Sequence, residues 1–310
     1  MILTVTPNPA IDLTYTVPAL ALGNTQRVAA ARSRAGGKGV NVARVAHQLS
    51  LAVFVVAPVG GHSGLEFARE LETSGLPHEL VPVRAATRRS VALVETDSGR
   101  TSVLNERGVA LRQTDWTALA GCIRRHVGEA TCLVGSGSLP PDADDGFYAD
   151  LVGIGRDAGM PVLIDASGAA LLAAARAGAD VLKPNRRELA EATGVSSPID
   201  GAAQLLDAGA RLVLVSLGEE GMFAMTAADR EPLFARLPAP IIGNPTGAGD
   251  AAVAAAAACF SAGITERAVI LRRATAWSAA AVRSPVAGEV AGDLAELEAA
   301  VVLSPLRETR

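Results

Sequence analysis

The sequence predicts an α/β fold with a mostly parallel central sheet, helices on both of its faces and a small β lid. Three observations carry this expectation. First, short strands that are apolar throughout recur along the 310 residues: ILTVT (2–6), AVFVVAP (52–58), TCLVG (131–135), PVLID (161–165), DVLKP (180–184) and RLVLVS (211–216). Strands apolar on both faces belong to sheets covered on both sides. Second, helix-like runs separate them: KGVNVARVAHQLS (38–50), LEFARELETS (65–74), WTALAGCIRRHV (116–127) and GFYADLVGIGRDAG (146–159). That alternation builds parallel sheets. Third, residues 13–34 and 88–104 alternate apolar and polar positions, as antiparallel strands with one wet face do. SGR at 98–100 reads as a hairpin turn. Beyond residue 246 the pattern is helical, over 247–262, 264–283 and 293–302. No low-complexity linker or internal repeat divides the chain. Residues 1–310 therefore read as one domain, with lid segments at about 13–34 and 88–104.

Composition narrows the function. Hydrophobic residues make up 49% of the chain and aromatics only 3%, so the core is built mainly of Ala, Val and Leu. A net charge of −4 offers no global field to nucleic acid or an acidic membrane. No apolar run reaches the roughly 18 to 20 residues that span a bilayer. The opening MILTVTPNPAIDLTYTV has no basic region of a signal peptide, and cytoplasmic location is expected. The cysteines, Cys122, Cys132 and Cys259, form no Cys-x-x-Cys and fit reduced structural thiols. The four histidines show no metal-ligand spacing. Only two of the 28 basic residues are lysines, Lys38 and Lys183, and both sit in motif-like strings. A compact ammonium and a planar guanidinium are not interchangeable, so lysine stands at these positions either by chance or where a compact ammonium is needed.

The stretch NPTGAGDAAVAAAAACF (244–260) brings glycines to the start of an alanine-rich helix, a place suited to anions, yet sets Asp250 inside it. It lacks the Lys-Ser/Thr of a P-loop. GAGDAA meets the loose dinucleotide pattern but lies late in the chain with no strand after it. The plainer alternative is a helix start capped by Thr246 or Asp250. In AGGKGVN (35–41), Gly37 lets backbone approach a ligand and Lys38 suits an anionic group. Asn41, and Asp12 of NPAID (8–12), offer hydrogen bonds to sugar hydroxyls, against the plainer reading of turn and helix-start residues. In KPNRRE (183–188), Asn185 fits a helix cap, or Asn185 and Glu188 order water around Mg²⁺. SLGEEG (216–221) sets glycines at a strand's carboxyl end.

Taken in order, NPAID, GGKGVN, GSGSLP (135–140), KPNRRE, SLGEEG and NPTGAGD resemble the ribokinase-like sugar kinases of the phosphofructokinase-B family. Within it, the chain looks closest to the 1-phosphofructokinase and tagatose-6-phosphate kinase branch. The resemblance covers essentially the whole chain. It implies a ribokinase-like three-layer α/β/α fold with a β lid. It makes Asp250 the general base, and the backbone N–H groups of Gly247, Ala248, Gly249 and Asp250 an anion hole. It assigns sugar contacts to Asp12, Gly37, Lys38 and Asn41, sugar-pocket lining to Asn105 and Ser138, and the sugar phosphate to Arg88. Lys183, Asn185, Ser216, Gly218 and Gly221 correspond to nucleotide-binding positions, and Glu188 to Mg²⁺, held through water. The implied co-substrate is ATP, and a homodimer through the lid is implied too. The implied reaction converts fructose 1-phosphate to fructose 1,6-bisphosphate. Tagatose 6-phosphate and fructose 6-phosphate are the alternative substrates, and a catalytically silent sugar-phosphate-binding regulator is the more distant reading. Two departures stand out. GAGD is followed by AAVAAAA, and LNERG puts Glu106 and Arg107 where relatives often have small or apolar residues, which bears on sugar specificity.

Overall fold

Ten strands form the main sheet and four form a second, smaller one. The computed structural model describes residues 1–305. Its first half runs β1 (Ile2–Val5), β2 (Ala10–Val17), β3 (Arg32–Gly36), α1 (Lys38–Gln48), β4 (Val53–Val59), α2 (Gly61–Thr73), β5 (His78–Pro82), β6 (Arg88–Glu95), β7 (Thr101–Asn105), α3 (Gln113–His126), β8 (Cys132–Ser136) and α4 (Phe147–Asp157). The second half runs β9 (Val162–Asp165), α5 (Gly168–Arg176), β10 (Val181–Leu182), α6 (Arg186–Thr193), α7 (Pro198–Ala208), β11 (Leu212–Ser216), β12 (Met222–Thr226), β13 (Leu233–Arg236), α8 (Ala248–Ser261), α9 (Arg267–Val282), α10 (Leu294–Ala300) and β14 (Val302–Ser304).

The main sheet has the order β14-β13-β12-β11-β10-β9-β8-β1-β4-β5. From β11 to β5 all pairings are parallel; β12, β13 and β14 extend it antiparallel. The six apolar strands read from sequence all lie in the parallel part. Four strands escaped that reading. β5 is a partly buried edge strand with a mixed pattern. β12 is set by pairing on β11, and β13 by pairing on β12, and not by a boundary in the local pattern. β14 follows directly on α10, so the helix expected at 293–302 ends at Ala300. β10 is shorter than the expected 180–184, because Pro184 has no N–H for a ladder.

Successive strand residues enter opposite cores, as a pleated sheet requires. Ile2, Val55, Val134, Leu163 and Leu214 pack with α1, α2, α8 and α9. Leu3, Val56, Leu133, Ile164 and Val213 pack with α3 to α7. The result is the expected α/β/α sandwich. Helix α8 has no wet side over most of its length: Ala251 through Cys259 are all buried. Its alanines bring it close to α1 and α9, and small side chains at such a crossing leave no room for larger ones.

The small sheet has the order β3-β2-β6-β7, with β2 and β6 parallel and its other pairs antiparallel. Its bounds differ from the expected lid segments. The first strand starts at Ala10, the second occupies 32–36, and residues 18–31 carry no strand. The hairpin expected near 98–100 joins β6 to β7, with Gly99 at φ 69° and its N–H donating to the Glu95 carbonyl at 2.9 Å.

Ala255, fully buried in α8, supplies a test of this packing. Ala255→Leu is expected to lower unfolding free energy by about 1–3 kcal/mol in a denaturant titration, with no gain from the added apolar area.

Candidate active site

A cleft of about 1140 Å³ opens at the carboxyl ends of the parallel strands, beside the small sheet. Open α/β sheets present ligand sites at this end. Every site residue expected from the sequence lines it: Asp12, Gly37, Lys38, Asn41, Arg88, Asn105, Ser138, Lys183, Asn185, Glu188, Ser216, Gly218, Gly221, Gly247, Ala248, Gly249 and Asp250.

The start of α8 forms one wall. Gly247 is the residue before the helix, at φ 85°, a conformation that suits glycine alone here because a Cβ would also meet Ala287 Cα at 2.9 Å. No side chain caps this end, so neither Thr246 nor Asp250 plays the capping part. Asn244 Oδ1 instead accepts the Thr246 N–H at 3.1 Å. The Ala248 N–H donates to the Pro245 carbonyl at 3.2 Å, whereas those of Gly249 and Asp250 have no backbone acceptor. An uncapped helix start with free N–H groups attracts anions. Asp250 is nonetheless buried one turn in, and Asn41 Nδ2 from α1 donates to its Oδ2 at 2.8 Å. Burial pushes its carboxyl up to about 7; Lys38 pulls the other way and Asp165 adds to the rise.

Asp165, at the end of β9 and fully buried, organises the charges behind the cleft. Lys38 Nζ lies 3.3 Å from its Oδ2, Lys183 Nζ lies 3.7 Å from its Oδ1, and Ser136 Oγ donates to it at 3.1 Å. The chain's only two lysines thus converge on one carboxylate. Burial works against ionising Asp165, but Lys183 and Lys38 outweigh it and hold the carboxyl below its ordinary value. Burial likewise opposes charge on Lys38, and Asp165, Glu188 and Asp250 overcome it, keeping the ammonium above the usual lysine range. Lys38 also reaches Glu188 Oε1 at 3.2 Å. Glu188 and Asn185 cap α6 reciprocally: Asn185 Oδ1 accepts the Glu188 N–H at 2.9 Å, and Glu188 Oε2 the Asn185 N–H at 3.0 Å.

The small sheet forms the opposite wall. Asp12 on β2 is pushed up to about 6 by burial, against the pull of Arg88, Arg44 and Arg34. Gly36 makes room for it, since a Cβ there would lie 1.9 Å from Asp12 Oδ2. Arg88 donates from Nε to the Asn8 carbonyl at 3.2 Å and from Nη1 to the Glu106 carbonyl at 3.1 Å. Asn8 Nδ2 donates to the Arg107 carbonyl at 3.0 Å and to Ser138 Oγ at 3.3 Å. The far end of the cleft, past Ser216, Gly218 and Gly221, is lined by Met222, Leu237, Pro240 and Ile241.

Sequence reasoning missed Asp165 and Asn8. Each sits at or just past a parallel strand's carboxyl end, and an acid closing the apolar run PVLID was a readable sign. It also missed that Cys122 and His126, one helical turn apart on α3, meet Glu79 with ligand atoms within 4.8 Å. Glu79 already pairs with Arg125 at one oxygen and meets His126 Nε2 at 2.5 Å at the other, and its carboxyl falls to about 2 through those bonds, so its oxygens are already engaged within the protein.

The model of the pfkB family carbohydrate kinases matches residues 6–291. The chain belongs to that family. A 1-phosphofructokinase from Rhodobacter capsulatus is 35% identical over 287 residues, 91% of this chain and 90% of the relative. The structure of phosphofructokinase-2 from Escherichia coli in complex with fructose-6-phosphate superposes with a TM-score of 0.83 at 26% identity, over 96% of this chain and 98% of that one. A possible 1-phosphofructokinase from Thermotoga maritima shares the fold, with a TM-score of 0.89 at 21% identity and 98% of both chains covered. This pfkB kinase is therefore an ATP-dependent sugar phosphotransferase on a ribokinase-like fold. Among its described residues no helix is long and apolar enough to cross a membrane.

An acid whose carboxyl rises on folding keeps its proton longer in the native state. Native stability then falls as pH climbs from about 4 through about 7. Asp250, held at about 7, contributes such a loss, and Asp250→Asn abolishes it. The variant's gain in Tm over the parent is expected to grow between about pH 4 and about pH 8 in thermal melts. A constant difference would contradict the burial effect.

Proposed function

We propose that this pfkB-family kinase phosphorylates a ketohexose phosphate, converting fructose 1-phosphate to fructose 1,6-bisphosphate with ATP. The observation that carries the reading is a buried carboxylate, Asp250, set beside helix-start N–H groups that have no acceptor. The Rhodobacter capsulatus relative supports the substrate. Asp250 acts as general base. It takes the proton from the sugar hydroxyl as that oxygen bonds to the γ-phosphorus, the bond to the bridging oxygen breaks, and ADP leaves. The N–H groups of Gly247, Gly249 and Asp250 stabilise charge on the transferring phosphoryl, as an anion hole does. Ala248 contributes less, its N–H being already turned to Pro245.

Asp12, Gly37, Asn41, Asn105 and Ser138 hold the sugar, and Arg88 meets its phosphate. Lys38, with its side chain 38% exposed, faces the sugar while balancing the carboxylates behind it. Lys183, Asn185, Ser216, Gly218 and Gly221 hold the nucleotide, whose base fits the apolar far end.

Mg²⁺ is the metal expected to accompany ATP. Lys38 sits between Asp165 and Glu188, and both Glu188 oxygens already have donors. That donor set fits a hydrated ion held through water by Glu188, and not direct ligation. The ion would neutralise phosphate charge there.

We read residues 1–310 as one kinase domain with the small sheet as its lid, working in the cytoplasm. Exposed apolar side chains on and around that sheet, Leu20, Leu22, Val28, Val103 and Leu104, favour pairing of two lids in a homodimer.

The test is a coupled ADP-release assay over fructose 1-phosphate, tagatose 6-phosphate and fructose 6-phosphate. Fructose 1-phosphate is expected to give the highest kcat/KM, and no turnover of any phosphosugar would refute the reading. Asp250→Asn is expected to cut kcat roughly 10²–10⁴-fold while calorimetry still detects sugar binding. For the parent enzyme, kcat/KM should rise with pH and level off above about 7, where Asp250 is ionised. Near-parental turnover by the variant removes the base assignment.

A further inference from the structure

Five basic residues line the cleft: Lys38, Arg88, Arg107, Lys183 and Arg187. Four are already engaged. Lys38 and Lys183 face Asp165 at 3.3 and 3.7 Å. Arg187 Nη1 pairs with Glu191 at 2.6 Å. Arg88 gives two of its donors to the backbone carbonyls of Asn8 and Glu106. Arg107 differs. Among the described residues its guanidinium has no hydrogen-bond or ion-pair partner, and its one recorded bond is through its backbone oxygen, which accepts from Asn8 Nδ2 at 3.0 Å.

The surroundings of Arg107 keep it available. Asn8 ties the Arg107 backbone to the cleft wall and also donates to Ser138, so the base of the side chain is fixed and its head is not. The adjacent acid is turned aside, since Glu106 Oε2 accepts the Arg89 backbone N–H at 2.7 Å. An exposed cation on a fixed backbone, without a carboxylate to neutralise it, is matched to an anion that arrives with the substrate. A phosphate monoester presents several oxygens in a plane suited to a guanidinium fork, and two arginines satisfy it better than one. Arg88 stands on the neighbouring strand with three of its five donors uncommitted.

We propose that Arg107 is a specificity-determining residue, which with Arg88 clamps the phosphate that the sugar already carries and so selects phosphorylated over neutral sugars. This rests on the kinase reading above. Arg107 touches no group that forms or breaks a bond; it acts in binding.

The test compares parent, Arg107→Ala and Arg107→Lys enzymes by steady-state kinetics on fructose 1-phosphate, fructose and ATP. The alanine variant is expected to raise KM for fructose 1-phosphate at least roughly tenfold, with most of the loss in KM and not in kcat. Its KM for ATP should stay within about twofold of the parent, and discrimination between fructose 1-phosphate and fructose should shrink by the same factor of about ten. The lysine variant should recover part of the loss, because it restores the charge without the fork. An unchanged KM for fructose 1-phosphate in the alanine variant overturns the clamp and leaves the kinase reading standing. Equal losses for fructose 1-phosphate, fructose and ATP also overturn it, as they mark a structural role. A parent enzyme that turns over no phosphosugar refutes the kinase reading itself, and the clamp with it.

Discussion

One buried carboxylate governs the site. Asp165 lies at the end of a central strand with no exposure, and an isolated charge there would be costly to keep out of water. Two ammonium groups and the Ser136 hydroxyl compensate it. That compensation places Lys38, from the first turn of α1, against Lys183, from the end of β10, although 145 residues of chain separate them. Removing one partner of such a buried set strands the others, so these positions are coupled. Lys38 in turn pairs with Glu188 at 3.2 Å and pulls against the burial that raises the Asp250 carboxyl.

This arrangement resolves an apparent conflict in charge. The cleft must receive anionic ligands, yet it contains Asp12, Asp165, Glu188 and Asp250. Asp165 and Glu188 are paired with lysines. Asp12 and Asp250 are pushed up to about 6 and about 7, near enough to neutral pH for each to lose or keep its proton at little cost. Carboxylates that are matched or readily protonated do not repel phosphate as free ones would. A carboxyl near 7 is also well placed to accept a hydroxyl proton.

The parallel core and the site motifs were legible in the sequence for different reasons. A strand buried on both faces is apolar throughout, so β1, β4, β8, β9 and β11 announced themselves. Glycine-rich strings mark strand ends where backbone must approach a ligand. The antiparallel extension, β12 to β14, is defined by pairing partners distant from any local boundary, and so left little trace. Asp165 was overlooked because its role is relational: a single acid closing a strand acquires meaning only when two lysines from elsewhere arrive beside it. The scarcity of lysine pointed to Lys38 and Lys183 without naming what they share. The same holds for Glu79, Cys122 and His126, where a one-turn spacing on α3 becomes a cluster only through a residue on β5.

The alanine run of α8 has a further consequence. From Ala251 to Ala258 no side chain is larger than valine, and the helix is enclosed along that whole length. A helix this closely seated has almost no freedom to slide or roll, so Asp250 is anchored to the sheet as firmly as a strand residue would be. The structure thus sets a closely packed wall, which carries the carboxylate and the helix start, against a thinner wall of four strands across the cleft.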